Sequence, residues 1–359
     1  MIHVPIGTKA QLIKMAPVMK ALDDKQLEYQ FILTGQHSET MDDLIKDFDL
    51  RKPDNYFVKP VEADSKMKLL IWLVKGFAGG YKALKKIGRK DVVLVHGDTL
   101  STLLSAFLGK LKGIKVVHIE AGLRSFNILH PFPEEIVRRL TTKLSDFFVC
   151  QDSIAADNLV GAHISPSRLL NTNANTLLDS LRLISDRPVS PDIPDRPYCV
   201  VTLHRSENIS NSERFTFLMQ LVENLSEKID VLFVMHPVTK KKMYSTIWGD
   251  RFEDSKRIRL LNRMPYSEFI QVLESSKFIV SDGGSNQEES YYLGVPCILM
   301  RKATERHEGI GSNVVLSNYD VEIFDDFISQ AMRTNKRYPT EILESPSAKI
   351  AEHLASMSI

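Results

Sequence analysis

The stretch Val92-Val93-Leu94-Val95-His96-Gly97-Asp98-Thr99-Leu100-Ser101-Thr102-Leu103-Leu104-Ser105-Ala106-Phe107-Leu108-Gly109-Lys110-Leu111 decides the fold. Its first four residues are an unbroken β-branched and leucine run, the pattern of a strand buried on both faces. His96-Gly97-Asp98-Thr99 then breaks the run with a polar, glycine-containing turn. Leu100, Leu103, Leu104, Phe107, Leu108 and Leu111 follow at i, i+3, i+4, i+7, i+8 and i+11, one apolar stripe of a helix that Gly113 is placed to end. Strand, polar turn and amphipathic helix make a β–α unit. Repeated, that unit implies parallel strands and right-handed crossovers.

The rhythm does repeat. Tyr29–Leu33 runs into Thr34-Gly35-Gln36-His37, Val116–Ile119 into Glu120-Ala121-Gly122, and Phe147–Cys150 into Gln151-Asp152-Ser153. It stops at residues 185–197, where closely spaced prolines can continue neither a helix nor a central strand and read as a semi-rigid linker. It resumes with Cys199–Leu203 before His204-Arg205, Val231–Met235 before His236-Pro237, Phe278–Ser281 before Asp282-Gly283-Gly284-Ser285, and Pro296–Met300 before Arg301. The expectation is an N-terminal Rossmann-like domain (1–184), the linker (185–197), a second Rossmann-like domain (198–338), and C-terminal helices (339–359) free to pack back on the first domain. The first strand, Ile2–Ile6, carries Pro5, so it is expected to be distorted or paired on one side only.

Bulk properties narrow the function. The 46 Lys+Arg nearly cancel the 45 Asp+Glu, which argues against a nucleic-acid partner. The cysteines, Cys150, Cys199 and Cys297, each sit in an apolar run and read as buried free thiols; no CxxC pair suggests a zinc site. The longest apolar run, Leu69–Val74, is far short of the roughly 20 residues of a spanning helix. With no signal-peptide pattern at the start, a cytoplasmic protein without a membrane partner is expected.

In open α/β sheets ligands bind beyond the carboxyl ends of the strands, and the polar residues of this chain fall there strand after strand. Gly283-Gly284-Ser285, ahead of a helical stretch, suits a diphosphate because backbone amides and a helix N-terminus favour an anion. Gly7-Thr8-Lys9 repeats the arrangement at the first strand, with Lys9 and Lys14 able to neutralise phosphate. Pro133 is placed as the first residue of a helix on which Glu134 faces Arg138 and Glu135 faces Arg139. These pairs read equally as surface ion pairs. His204 and His236 likewise admit a structural reading. Asp98 and Glu120 weigh the other way, towards function: a carboxylate straight after a buried strand is costly unless it meets a partner or a ligand.

Together these segments resemble the UDP-N-acetylglucosamine 2-epimerase family, from Gly7 to about Leu316. GTKAQLIKMAP (7–17), TGQH (34–37), HGDT (96–99), HIEAGLR (118–124), PFPEEIVR (131–138), NTLLD (175–179), HRSE (204–207), QEE (287–289) and TERHE (304–308) carry the resemblance. It implies an α/β fold of two Rossmann-like domains with parallel sheets in the GT-B arrangement, with the active site in the interdomain cleft. It implies non-hydrolysing inversion at C2 of a UDP-N-acetylhexosamine, UDP-GlcNAc to UDP-ManNAc, through UDP elimination to a 2-acetamidoglucal and re-addition. Asp98, Glu120, Glu134, Arg138 and His204 would then be catalytic. Lys9, Arg205 and Gly283–Ser285 would hold phosphates, Glu289 the ribose and Phe269 the uracil, with Lys14, Gln36, His236 and Arg306 also substrate-binding. Asp98 and Glu120, as neighbouring like charges, would separate into one acid and one base. No cofactor or metal is called for, because lysines, arginines and helix dipoles balance the diphosphate. The resemblance also implies a homodimer and a second, activating UDP-GlcNAc. Three departures stand out: Lys9-Ala10-Gln11 where the family has Arg-Pro-Glu, Gly283 where it has Ser in DSGG, and His307 where it has Pro. All three are expected at phosphate or nucleotide contacts. A GT-B glycosyltransferase, a hydrolysing 2-epimerase and an inactive sugar-nucleotide sensor are the alternatives.

Overall fold

A computed structural model describes residues 1–36, 41–59, 66–85, 88, 90–127, 133–184, 193–333 and 344–357. His37, Pro131, Phe132 and most of the expected linker lie outside these residues. The chain divides into two compact units, Met1–Ile184 with Ile342–Ile359, and Ser185–Glu341.

Unit 1 holds β1 (Ile2–Ile6), β2 (Tyr29–Leu33), β3 (Asn55–Tyr56), β4 (Val92–His96), β5 (Lys115–Ile119), β6 (Phe147–Cys150) and β7 (Leu169–Asn171) in one seven-stranded sheet, ordered β3-β2-β1-β4-β5-β6-β7. Unit 2 holds β8 (Tyr198–Thr202), β9 (Asp230–Val234), β10 (Ile258–Leu261), β11 (Ile279–Ser281), β12 (Cys297–Leu299) and β13 (Val314–Leu316) in a six-stranded sheet, ordered β10-β9-β8-β11-β12-β13. Every pairing is parallel. In each sheet the strand order reverses direction once, between β1 and β4 and between β8 and β11, and such switch points open a crevice at the strand ends. Pro5 is tolerated because β1 pairs with β2 along its whole length but with β4 only at Ile2 and His3.

Both sheets are buried on both faces. Val93, Val95 and Val116 join Trp72 and Leu108 in one cluster of unit 1, while Phe233, Phe252, Phe278 and Trp248 anchor another in unit 2. Truncating any of these phenylalanines to alanine removes enough packing to cost about 3–5 kcal/mol. Cys150, Cys199 and Cys297 are free and buried; burial pushes the Cys150 and Cys297 thiols up to about 12.

The helix Lys9–Asp24 contains Pro17, which cannot donate to the carbonyl of Ile13. The Ser180 hydroxyl donates to that oxygen instead, at 2.6 Å. The helix Pro346–Ser356 belongs to unit 1: Asp179 accepts from the Ser345 hydroxyl and the Ser347 N–H, both at 2.8 Å, and His353 stacks on Phe147. One apolar face has no cover among the described residues. Met67, Leu70, Val74 and Tyr81 of the helix Lys66–Ala83 are about half exposed or more, and Phe107 and Leu111 continue the face from the helix Leu100–Leu111. No helix of the described residues is long and apolar enough to cross a membrane.

Candidate active site

In unit 1 the site begins at the end of β5. Glu120 has φ 60°, the left-handed region, which costs a non-glycine residue of order 1–3 kcal/mol and persists only where the surroundings enforce it. Its backbone is fixed because Ala121 N–H donates to Val149 O at 2.9 Å. Its carboxylate is buried. Oε2 is ion-paired with Lys14 Nζ, accepts from Asn175 Nδ2 at 2.6 Å, and lies 3.8 Å from His96 Nε2. Oε1 lies against Gly97, 3.8 Å from where a Cβ on that residue would stand. Glu120 therefore reaches the turn that carries Asp98.

Asp98 accepts on one oxygen, Oδ2, from Arg138 Nε at 2.9 Å and Nη2 at 2.7 Å. Arg138 thus pairs with Asp98 rather than with Glu134, and its Nη1 lies 3.6 Å from Glu135. The Glu135–Arg139 pair forms as read, at 2.9 Å, but Glu135 is wholly buried and also accepts from Ser125 N–H. Burial would raise the Glu135 carboxyl, yet the Ser125 amide and Arg139 more than cancel this and hold it below its ordinary value. Pro133 is the N-cap of the helix Glu134–Leu144, one place earlier than expected, so Glu134 opens the helix. Glu134 Oε2 is buried and has no hydrogen-bond partner among the described residues. The repulsion expected between Asp98 and Glu120 is met differently: each carboxylate has a cation of its own. Lys14, expected on phosphate, is buried and ion-paired with Glu120.

His118, which sequence reading passed over, is buried with Nε2 2.8 Å from Gly97 O; burial lowers its pKa to about 4. Its neutral ring holds the same turn. Gln36 accepts from the Ser101 hydroxyl, and Lys9 starts the helix that Thr8 caps.

In unit 2, Asp282 is fully buried at the end of β11. It accepts from His204 N–H at 2.9 Å, Arg205 N–H at 3.0 Å and Asn208 Nδ2 at 2.9 Å, which ties the turn after β8 to β11. His204 and His236 rings stand 5.5 Å apart. Burial lowers both pKa values, that of His236 to about 4, and the Arg205 and Arg263 charges lower His204 further against the pull of Asp282. Both rings are neutral at pH 7.

Gly283 is the N-cap of the helix Gly284–Leu293, so Gly284 and Ser285 lie in its first turn instead of preceding it, and no side chain caps it. A Cβ on Gly283 would stand 2.9 Å from His204 Cε1, and one on Gly284 2.8 Å from Arg306 Nε. The glycines let both side chains close over the helix start. Arg306 is ion-paired with buried Glu288, and Gln287 Nε2 donates to the Arg306 and Glu308 carbonyls at 3.1 and 2.9 Å, clamping the 304–308 loop. Glu289 is buried and accepts from Asn286 Nδ2 at 2.8 Å. Phe269 is half-buried, packed against the cluster that includes Val272, Leu273 and Ile279.

Sequence reading missed Arg301. It is buried, and its Nη2 donates to Glu305 Oε2 at 3.1 Å, while Nε and Nη1 have no partner among the described residues. Burial would raise Glu305, but Arg306, Arg301 and Arg205 outweigh it and hold its pKa near about 2. The one available signal was an arginine directly after a buried strand.

Two parallel sheets of this order, with carboxylates at the strand ends of one unit and an anion-ready helix start in the other, define a GT-B α/β enzyme. The family model for UDP-N-acetylglucosamine 2-epimerase matches residues 20–341, and the chain belongs to that family, within the isomerases. A UDP-N-acetylglucosamine 2-epimerase of Methanococcus maripaludis is 31% identical over 97% of this chain and 96% of its own length; one from Methanocaldococcus jannaschii is 31% identical over 88% of each. Among solved structures, the Neisseria meningitidis UDP-GlcNAc 2-epimerase bound to UDP-GlcNAc superposes with a TM-score of 0.84 at 25% identity, covering 99% of both chains. The M. jannaschii enzyme in complex with UDP-GlcNAc and UDP gives 0.80 at 25% identity, again covering 99% of both.

Proposed function

We propose that the chain interconverts UDP-GlcNAc and UDP-ManNAc without hydrolysis. One carboxylate takes the proton from C2, the C1–O bond breaks with its electron pair leaving on the β-phosphate oxygen, and C1=C2 forms. That oxygen then attacks C1, and C2 receives a proton on its other face. The observation that carries this reading is the pairing of Asp98 with Arg138 and of strained Glu120 with Lys14 around the single glycine Gly97. Two carboxylates, each with its own cation, supply an acid/base pair, and Glu134 is available as a third. The C2 proton is weakly acidic, so the leaving group needs more help than the base does. The first turn of Gly284–Leu293, Lys9, Arg205 and Arg306 hold the diphosphate. His204, neutral at pH 7, donates an N–H to it. Glu289 binds the ribose and Phe269 lies against uracil.

A second copy of the chain covers the apolar face of Met67, Leu70, Val74, Phe107 and Leu111, giving a homodimer; light scattering of Val74→Glu tests this, and a dimeric variant overturns it. For the reaction, UDP-GlcNAc in deuterated water is followed by NMR at C2. Deuterium at C2 with UDP still attached is the expected result. Free N-acetylmannosamine means hydrolysis, and transfer only on adding an acceptor means a glycosyltransferase; either overturns the proposal.

A further inference from the structure

Ser281, the last residue of β11, is buried and uses its hydroxyl twice. It accepts from Gly283 N–H at 3.0 Å and donates to Asn286 Oδ1 at 3.0 Å. Asn286, half-buried on the first turn of the helix Gly284–Leu293, donates through Nδ2 to Glu289 Oε2 at 2.8 Å. A carboxylate can only accept, so the amide nitrogen faces Glu289 and the amide oxygen faces Ser281. One line of bonds thus runs from the glycine turn that opens the helix to the carboxylate one turn further along it. Gly283 makes that line possible. A Cβ there would stand 2.5 Å from Asn286 Oδ1, closer than van der Waals contact allows. A side chain at 283, such as the serine of DSGG, fits only where residue 286 does not reach back to Ser281. Glycine at 283 and asparagine at 286 therefore go together in this chain.

We propose that Gly283 and Asn286 form a coupled pair that positions Glu289 for the hydroxyls of the nucleotide ribose, and so strengthens the preference for a ribose over a sugar lacking them. This rests on the reading of Glu289 as the ribose residue. Asn286 acts through Glu289 and is a positioning residue. Tyr266, buried at the start of the helix Tyr266–Ser275, also stands beside Glu289: burial first, and then that carboxylate, raise its pKa well above the ordinary value. Glu289 therefore keeps a neighbour when Asn286 is changed, and the loss is partial.

Isothermal titration with UDP and with 2′,3′-dideoxy-UDP tests the pair. The wild type binds UDP more tightly than the dideoxy probe. Asn286→Leu keeps the bulk and loses the donor: the Kd for UDP rises about tenfold, the effect of one hydrogen bond to a charged group, while the Kd for the probe changes less than about twofold. The preference for UDP therefore shrinks. Gly283→Ala, by displacing Asn286, shrinks it as well, but adds no further loss of preference in the Asn286→Leu background, because both changes break the same line. A merely structural role would weaken both ligands alike and leave the preference as in the wild type. An unchanged preference in Asn286→Leu, or losses of preference that add in the double variant, overturn the proposal. If the wild type itself binds the two ligands equally, Glu289 is not the ribose residue, and the reading beneath the proposal fails before the pair is reached.

Discussion

Two buried carboxylates follow strands in this molecule, and they are held in opposite ways. Asp282 of unit 2 is saturated by two backbone amides and the Asn208 side chain, in unstrained geometry. Glu120 of unit 1 is held by side chains, Lys14 and Asn175, on a backbone in the left-handed region. Backbone donors cannot be withdrawn without unfolding the turn, so Asp282 is architecture. Side-chain partners can rearrange as charge moves, which is what the acid/base role proposed for Glu120 requires. The same strand order thus serves two purposes, set by the residues at the strand ends.

The largest expected effect tests that contrast directly. Glu120→Gln keeps the shape and removes the charge; the rate of C2 exchange falls by about 10²–10⁴, while isothermal titration finds UDP affinity within a factor of about two. A collapse of UDP binding would reassign Glu120. Asp282→Asn should do the reverse. Its amide presents hydrogens to N–H groups that already donate, so denaturant unfolding shows a loss of about 1–3 kcal/mol, accompanied by weaker UDP binding.

Acid sharpens the comparison from another side. His118, bonded to the Gly97 carbonyl, has a native pKa of about 4 against about 6.5 unfolded. A histidine with a depressed native pKa contributes its full stability above the unfolded value and loses it as pH falls towards the native one. Urea unfolding should therefore lose about 3 kcal/mol between pH 7 and pH 4 from this group, and His118→Gln, whose amide can still reach Gly97 O, should flatten that part of the curve. Gly284→Ala places a methyl at the Arg306 guanidinium; the Kd for UDP rises roughly tenfold, about 1.4 kcal/mol, with the exchange chemistry intact at saturation. The smallest effect belongs to Ser180→Ala, which leaves the Ile13 carbonyl unbonded beside Pro17 and costs about 1 kcal/mol in unit 1.

The strands were legible because a buried parallel strand has no polar face: Val92–Val95 and Cys199–Leu203 admit little else. The polar turns followed from the strands, and Asp98 and Glu120 stood out as charges in costly places. What stayed hidden was long-range. Lys14 was legible as a cation for a phosphate, and nothing near it announces a carboxylate 106 residues away. Arg138 sits one turn from Glu134 in sequence, yet it donates from two nitrogens to one oxygen of Asp98, brought in by the fold. Gln11 bonds to the His96 carbonyl 85 residues on, a partner nothing beside it in the sequence announces.

The helix Pro346–Ser356 has a consequence for the order in which the molecule is made. The chain leaves unit 1 at Ile184 and rejoins it at Ile342. On the ribosome, unit 2 is complete while the first unit still lacks the helix that covers its opening one, so Ile350, Ala351 and Leu354 seal a core begun more than three hundred residues earlier. A nascent chain cut short before Pro346 would carry a finished unit 2 and an unclosed, sticky unit 1.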